Sequence, residues 1–226
     1  VTQAVLQTDM RRLLSYHIVS QVGYMVVAVG VGTAAGTAGA FAHLTAHVVY
    51  KGLLFVVAGA IIVRTGEASL KRLGGLGRRM PLTFATFLVA AFAITGVPGF
   101  SGFVSKGLIA KATESAGFDL LWWALVVGSV GTALSFAKFG YYAFVRAAPG
   151  DATPEVAPVP GPRALTAVFV ALAVPSVALG LAPGAFLGAF PGDPGSFDAY
   201  APSELAKGVG TAAVGLREPR HGPEAY

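Results

Sequence analysis

ITGVPGFSGFVSKGLIAKA, residues 94–112, closes an apolar stretch that begins at Pro81. Read as one helix, 81–112 would reach about 48 Å at ~1.5 Å per residue, too long for a ~30 Å hydrocarbon core. Its middle, GVPGFSG at 96–102, accounts for the excess. Pro98 removes a backbone donor and clashes with the preceding turn. Gly96, Gly99 and Gly102 add backbone freedom. This spacing predicts two half-helices joined by an unwound stretch at 96–102, in preference to a simple proline kink. Irregular backbone inside a membrane persists only where protein or water satisfies it, and broken helices of this kind mark ion and substrate sites.

Working outward, four further apolar stretches have crossing length: 13–31, 39–63, 120–145 and 165–182. A membrane helix needs roughly 20 mainly apolar residues. A sixth apolar piece, 185–190, is too short. The expected fold class is therefore an all-α membrane protein with about five transmembrane helices, the third broken at 96–102. Composition agrees. Only 12% of the 226 residues are charged, 54% are hydrophobic, and mean hydropathy is +0.68. Soluble domains run near a quarter charged, so this chain could not cover its apolar surface in water. The 30 glycines suit close helix packing in lipid. With no cysteine there are no disulfides, thiolate metal sites or iron–sulfur ligands. The first apolar run follows Arg11–Arg12 and lacks a signal-peptide cleavage pattern, so no removable leader is expected.

The net charge of +5 sits mainly in membrane-flanking loops and argues for topology rather than nucleic-acid binding. Arg11 and Arg12 precede the first crossing, and 32–38 after it carries no charge. Arg64, Lys71, Arg72, Arg78 and Arg79 follow the second crossing. Lys111, Glu114 and Asp119 follow the third, and Arg146 and Arg163 flank the loop after the fourth. The alternation sets the N-terminus in the cytoplasm and the C-terminus outside. Trp122 and Trp123 read as interfacial anchors. The chain divides into a transmembrane bundle, 1–190, and a flexible tail, 191–226, with a Pro-rich extended linker at 147–162.

All eleven acidic residues fall in loops or tails, whereas the second to fourth crossings carry the bases His43, His47, Lys51, Lys106 and Lys138. A charge at mid-bilayer costs at least ~2.5–3.5 kcal/mol, so such residues have a partner or a task. His43, His47 and Lys51 follow at i, i+4 and i+8, within about an 80° sector of one helix face. Histidine titrates near neutral pH, and burial disfavours the charge of lysine, so bases one turn apart can pass a proton through intervening water. Thr45 and Tyr50 add hydroxyls as further candidates. Lys106, just past the break, is the residue of greatest interest, because unwound carbonyls and half-helix ends can stabilise it. Lys138 divides evenly between a functional role and snorkelling. The bland alternative, in which these groups only hydrogen-bond neighbouring helices, would suit one histidine better than three bases beside a broken helix.

Metal and haem readings are weak. The His43–His47 pair lacks the glutamate of a zinc-protease helix, no third ligand is evident, and His17 and His221 lie at an edge and in the tail. No metal or cofactor is expected. No nucleophile–base set, phosphate loop or dinucleotide fingerprint appears, so no catalytic residues are assigned.

Four segments together resemble a known family: SYHIVSQVGYMV (15–26), AHLTAHVVYKGLLFVVAGAI (42–61), LKRLGGLGRRMPLTF (70–84) and ITGVPGFSGFVSKGLIAKA (94–112). They are similar, in order, to the antiporter-like membrane subunits shared by respiratory complex I and Mrp-type multisubunit Na+/H+ antiporters, within which the Mrp D-type fits best. The resemblance covers roughly 8–144 and leaves the linker and tail uncovered. It implies that the chain corresponds to helices ten to fourteen of about fourteen, and to most of the second of two inverted five-helix repeats. It implies that His43, His47 and Lys51 match a polar stripe on helix eleven and Lys106 the key lysine of broken helix twelve, on a hydrated axis that moves protons. It further implies a place in the cell membrane among other subunits, with protons and Na+ as cargo. The glutamate–lysine pair of the family's first half is absent. The chain is therefore expected to be a fragment, or one product of a split gene that pairs with an N-terminal companion supplying acidic groups. Two rivals stay open: a proton-pumping subunit of an NADH:quinone oxidoreductase-like complex, and a non-conducting structural subunit.

Overall fold

The computed structural model describes residues 1–148, 156–157, 161–195 and 197–205. Most of the predicted linker, the tail beyond 205 and His221 lie outside the described residues.

A short helix, α1 (Thr2–Leu6), leads into α2 (Met10–Gly30), and a turn at 31–33 returns the chain as α3 (Ala34–Thr65). Local chemistry sets these ends. The Asp9 carboxylate accepts from the Arg11 and Arg12 backbone N–H groups at 2.8 and 3.2 Å, and the Thr33 hydroxyl accepts from Gly36 N–H at 3.0 Å. Gly66, in the left-handed region at φ +69°, ends α3. A 3₁₀ turn (Leu70–Arg72) and α4 (Leu76–Arg79) follow.

The third crossing is divided as its sequence requires, into α5 (Pro81–Thr95) and α6 (Ser101–Ser115). The break is shorter than predicted. Helix resumes at Ser101, so Gly102 lies inside α6. Its glycine identity answers a packing demand, because a Cβ there would run into the Ala93 carbonyl oxygen. Then come α7 (Asp119–Gly140), which continues as a π turn through Tyr141–Val145, α8 (Pro162–Leu181) and α9 (Pro183–Leu187). Glu114 and Asp119, expected in a loop, instead belong to the last turn of α6 and the first turn of α7.

Four helical stretches are long and apolar enough to cross a membrane: Met10–Gly30, Ala34–Thr65, Asp119–Val145 and Pro162–Leu181. The broken pair α5–α6 makes the remaining crossing from two halves of 15 residues each, neither of which would span the core alone. α3 is the central post, packed against α2, α5, α6 and α8, and is the most buried of the long helices. Val19, Val26, Val29, Val127, Leu134 and Val174 are exposed, giving the bundle an apolar outer surface of the kind a bilayer covers.

The basic loops meet at one end of the bundle. Met10 N–H donates to Ala68 O at 3.0 Å, and Leu70 N–H to Thr8 O at 2.8 Å. The Arg146 guanidinium donates to the carbonyls of Leu70, Lys71 and Leu73, and Gly75 N–H donates to Arg146 O at 2.7 Å. Within the expected tail, Ala199 is buried, and the Tyr200 hydroxyl donates to Gly180 O at 2.6 Å and accepts from Gly99 N–H at 3.1 Å.

Candidate functional site: a buried polar seam at the broken helix

The break creates an unpaired acceptor. In a continuous helix the Ile94 carbonyl would accept from residue 98, but proline has no N–H. Gly96, at φ +85°, turns the chain out of α5 first, and its N–H bonds back to Phe92 O at 3.1 Å. The Lys106 Nζ fills the vacant role, donating to Ile94 O at 2.6 Å. It also lies 5.0 Å from the centre of the Tyr24 ring, within cation–π range. The lysine is buried, held between an oriented carbonyl dipole and an aromatic face.

Three helices converge beside it. His43 of α3 is fully buried, with Nε2 3.1 Å from Gln21 Oε1 on α2 and Nδ1 2.9 Å from Ser105 Oγ on α6. With the amide oxygen toward the ring, Nε2–H donates to Gln21 and Nδ1 accepts from the Ser105 hydroxyl. That hydroxyl is also 3.2 Å from Ser101 O, so its one proton has two acceptors. The Tyr50 hydroxyl reaches the same Gln21 oxygen, more weakly, at 3.4 Å. Tyr24 packs its ring 5.7 Å from that of His43 and donates to Leu125 O at 2.5 Å.

One to two turns along α3 lie His47 and Lys51. Both are buried, and His47 Nε2 and Lys51 Nζ have no hydrogen-bond partner among the described residues. The His47 ring meets Tyr50 edge-on at 5.5 Å, and Lys51 lies 6.0 Å from the Phe55 ring centre. An unpaired buried polar group costs about 1–3 kcal/mol, so groups like these are normally met by water.

The predicted residues therefore divide. His43, Tyr50 and Lys106 adjoin one connected polar cluster, and His47 and Lys51 continue its line on α3. Thr45 is half-buried and takes no part in the polar contacts around His43. The Lys138 ammonium donates to Val5 O and, at 2.6 Å, to Gln7 O, at the end of α1. Gly96, Pro98 and Gly99 form the break, and Gly102 is the contact residue of the resumed helix. His17 corrects an expectation. It is not at an edge but completely buried, its ring 4.9 Å from Phe136. Gln21 and Tyr24 were also missed. The pattern was present in SYHIVSQVGYMV, where His17, Gln21 and Tyr24 follow at i, i+4 and i+7 on one face.

A cavity of about 430 Å³ opens between the broken helix, α7 and the segment around 197–204. Lys106, Tyr24, Thr95, Ser129, Glu114 and Glu204 give it polar lining in an otherwise apolar wall. The arrangement offers a lysine at a helix break, a three-helix hydrogen-bonded cluster, and a continuing file of buried bases.

Residues 2–135 match the family described as NADH:quinone oxidoreductase/Mrp antiporter, transmembrane. The chain is 41% identical over 145 residues to the D-type component of a Na(+)/H(+) antiporter from Alkalihalophilus pseudofirmus, a match covering 64% of this chain and 29% of that one. It is 40% identical over 175 residues to the L-type component of the NADH-quinone oxidoreductase of Mycobacterium tuberculosis, covering 75% and 27%. Among solved structures it is similar to a chain of the Mrp complex from Dietzia sp. DQ12-45-1b, with TM-score 0.76 and 28% identity over 82% of this chain and 42% of that one. The chain thus spans less than a third of the length of these two curated relatives. A family match over more than half the chain, on the helices that carry the broken crossing and the buried bases, makes this a member of the antiporter-like membrane subunits of NADH:quinone oxidoreductases and Mrp antiporters.

Proposed function

We propose that this chain works as a membrane subunit of a multisubunit monovalent cation (Na+)/proton antiporter, and that protons cross it along His43, His47, Lys51 and Lys106. The carrying observation is the Lys106 ammonium on the Ile94 carbonyl, at a helix opened by Pro98, beside the cluster of Gln21, His43, Tyr50 and Ser105. Relay requires the lysines to alternate between ammonium and amine. Water in contact with the unpaired nitrogens of His47 and Lys51 bridges the gaps between bases. The identity to the D-type antiporter protein supports cation exchange as the driver. The gathering of Arg11, Arg12, Lys71, Arg72 and Arg146 toward one end supports a cytoplasmic N-terminus. Buried bases without buried acids among the described residues favour acidic partners on a companion subunit.

A second reading keeps the path and changes the driver to redox chemistry. The 40% identity to an NADH-quinone oxidoreductase component favours it. Exchange driven by a sodium or pH gradient, measured in vesicles carrying the assembled complex with Lys106→Ala, tests the proposal. Loss of exchange with assembly retained is the expected result, and wild-type exchange removes Lys106 from the path. If Lys51 and Lys106 neutralised together alter only assembly, the role is structural.

A further inference from the structure

α2 carries a polar stripe of its own. His17, Gln21 and Tyr24 lie within about 60° of one face at ~100° per residue. α2 and α3 are joined by a short turn and run antiparallel, so the two stripes face each other in reverse order. Tyr24 is level with His43, their rings 5.7 Å apart, and Gln21 bonds His43 and Tyr50. Descending α3 from His43 through His47 to Lys51 corresponds to descending α2 from Tyr24 through Gln21 to His17.

His17 has an unusual setting for a histidine with a packing role. Its exposure is 0%, and neither Nδ1 nor Nε2 has a hydrogen-bond partner among the described residues. One ring face rests on Phe136 of α7 at 4.9 Å. The neighbouring Ser135 hydroxyl, also on α7, is likewise buried and unpartnered. Lys51 from α3, Lys106 from α6 and Lys138 from α7 are the charged side chains that act on it. A site selected only for packing against Phe136 would favour an apolar ring, because two desolvated, unpaired nitrogens destabilise the fold.

We infer that His17 is a proton-accepting group of the translocation path, linking Lys51 to the end of the bundle where α2 begins. The inference rests on the proton-path reading above and adds a fifth base to it, on a different helix. The imidazole takes a proton on one nitrogen from a water shared with Lys51. It releases the proton from the other nitrogen toward the Ser135 hydroxyl and the α1 end, so the ring moves charge without leaving its place. Lys138, whose ammonium donates to two carbonyls, takes no part.

His17→Phe tests this in the assembled complex, with sodium- or pH-gradient exchange in vesicles as readout and thermal midpoint as control. Phenylalanine fills the ring volume and deletes both nitrogens. The relay role predicts exchange lowered roughly tenfold or more, with the midpoint unchanged or raised. A packing role predicts the raised midpoint with exchange within about twofold of wild type, which overturns the inference. Should His17→Phe fail to assemble, His17→Gln keeps a polar side chain with no titrating proton and must show the same loss. Lys106→Met is run in parallel. If it abolishes exchange while the His17 variants do not, only His17 is removed from the path. If it too leaves exchange intact, the path reading itself falls.

Discussion

Lys106 Nζ lies 2.6 Å from the Ile94 carbonyl oxygen, the acceptor that Pro98 leaves without a helical donor. This pairing separates two jobs the lysine could do. As a hydrogen-bond donor it satisfies the broken helix. As a proton carrier it must also be able to lose its charge.

Lys106→Arg and Lys106→Met distinguish them. Arginine keeps donors for Ile94 O but does not deprotonate in proteins, so assembly and thermal midpoint stay near wild type while exchange is lost. Methionine keeps an unbranched, apolar stem and leaves the carbonyl unpaired, a cost of about 1–3 kcal/mol. The Met variant is therefore expected to lower the midpoint as well as abolish exchange. Equal midpoints for the two variants would show that the Ile94 bond contributes nothing to stability.

The Gln21 amide oxygen accepts from two groups, whereas Tyr50 only donates one bond, and the distances rank them. Gln21→Leu leaves the His43 N–H, bonded at 3.1 Å, and the Tyr50 hydroxyl, bonded at 3.4 Å, without an acceptor. It is expected to cost about 1–3 kcal/mol. Tyr50→Phe removes only the longer bond and leaves Gln21 its His43 partner, for less than about 1 kcal/mol. Thermal unfolding of the purified complex gives the ranking, and a larger loss for Tyr50→Phe would contradict it.

Much of this was readable from residues alone, for reasons the two sides of the seam make plain. The i, i+4, i+8 spacing of His43, His47 and Lys51 fixes them on one face whatever surrounds the helix, and GVPGFSG cannot continue a helix through Pro98. What sequence could not give was depth and partner. His17 lies about one turn into the predicted crossing 13–31, so position along the chain suggested an edge. The packing of neighbouring helices around α2, with Phe136 of α7 on the ring, buries it. Lys138 was ambiguous for the same reason, because its acceptors lie 131 or more residues earlier in the chain, in a short helix that periodicity did not reveal. Gly102 read as part of the break because glycine signals both freedom and close contact, and here contact with Ala93 decides.

Outside the membrane, Asp9 provides a pH test. The Arg11 side chain, 3.0 Å away, and the Arg12 and Arg11 N–H groups together hold its carboxyl below the usual value, against an opposing effect of burial. A lowered folded-state value means the carboxylate stabilises the start of α2 at every pH above the unfolded value of about 4. That stability is lost as pH falls through the folded value. Asp9→Ala is expected to cost about 1 kcal/mol near pH 7, the usual worth of an N-cap. The gap to wild type should close in acid. A penalty independent of pH across that range would mean that the cap does not depend on the ionised carboxylate.

Lys138 is the base for which geometry argues against transport. Its ammonium donates to the carbonyls of Val5 and Gln7, both left over where α1 ends and the chain turns toward α2. Among the described residues no turn or loop backbone N–H donates to either carbonyl. A lysine that gave up its proton to a relay would loosen both contacts on each cycle. Lys138→Met preserves the stem along α7 and removes the donors. The expected consequence is local: amide hydrogen exchange over residues 2–8 accelerates about tenfold as α1 detaches, equivalent to ~1.4 kcal/mol of local opening. Gradient-driven ion exchange in vesicles stays within about twofold of wild type, because the seam from Lys106 to Lys51 is untouched. If instead transport collapses while α1 keeps its protection, Lys138 belongs to the path and its carbonyl partners are a resting position rather than a fixed cap.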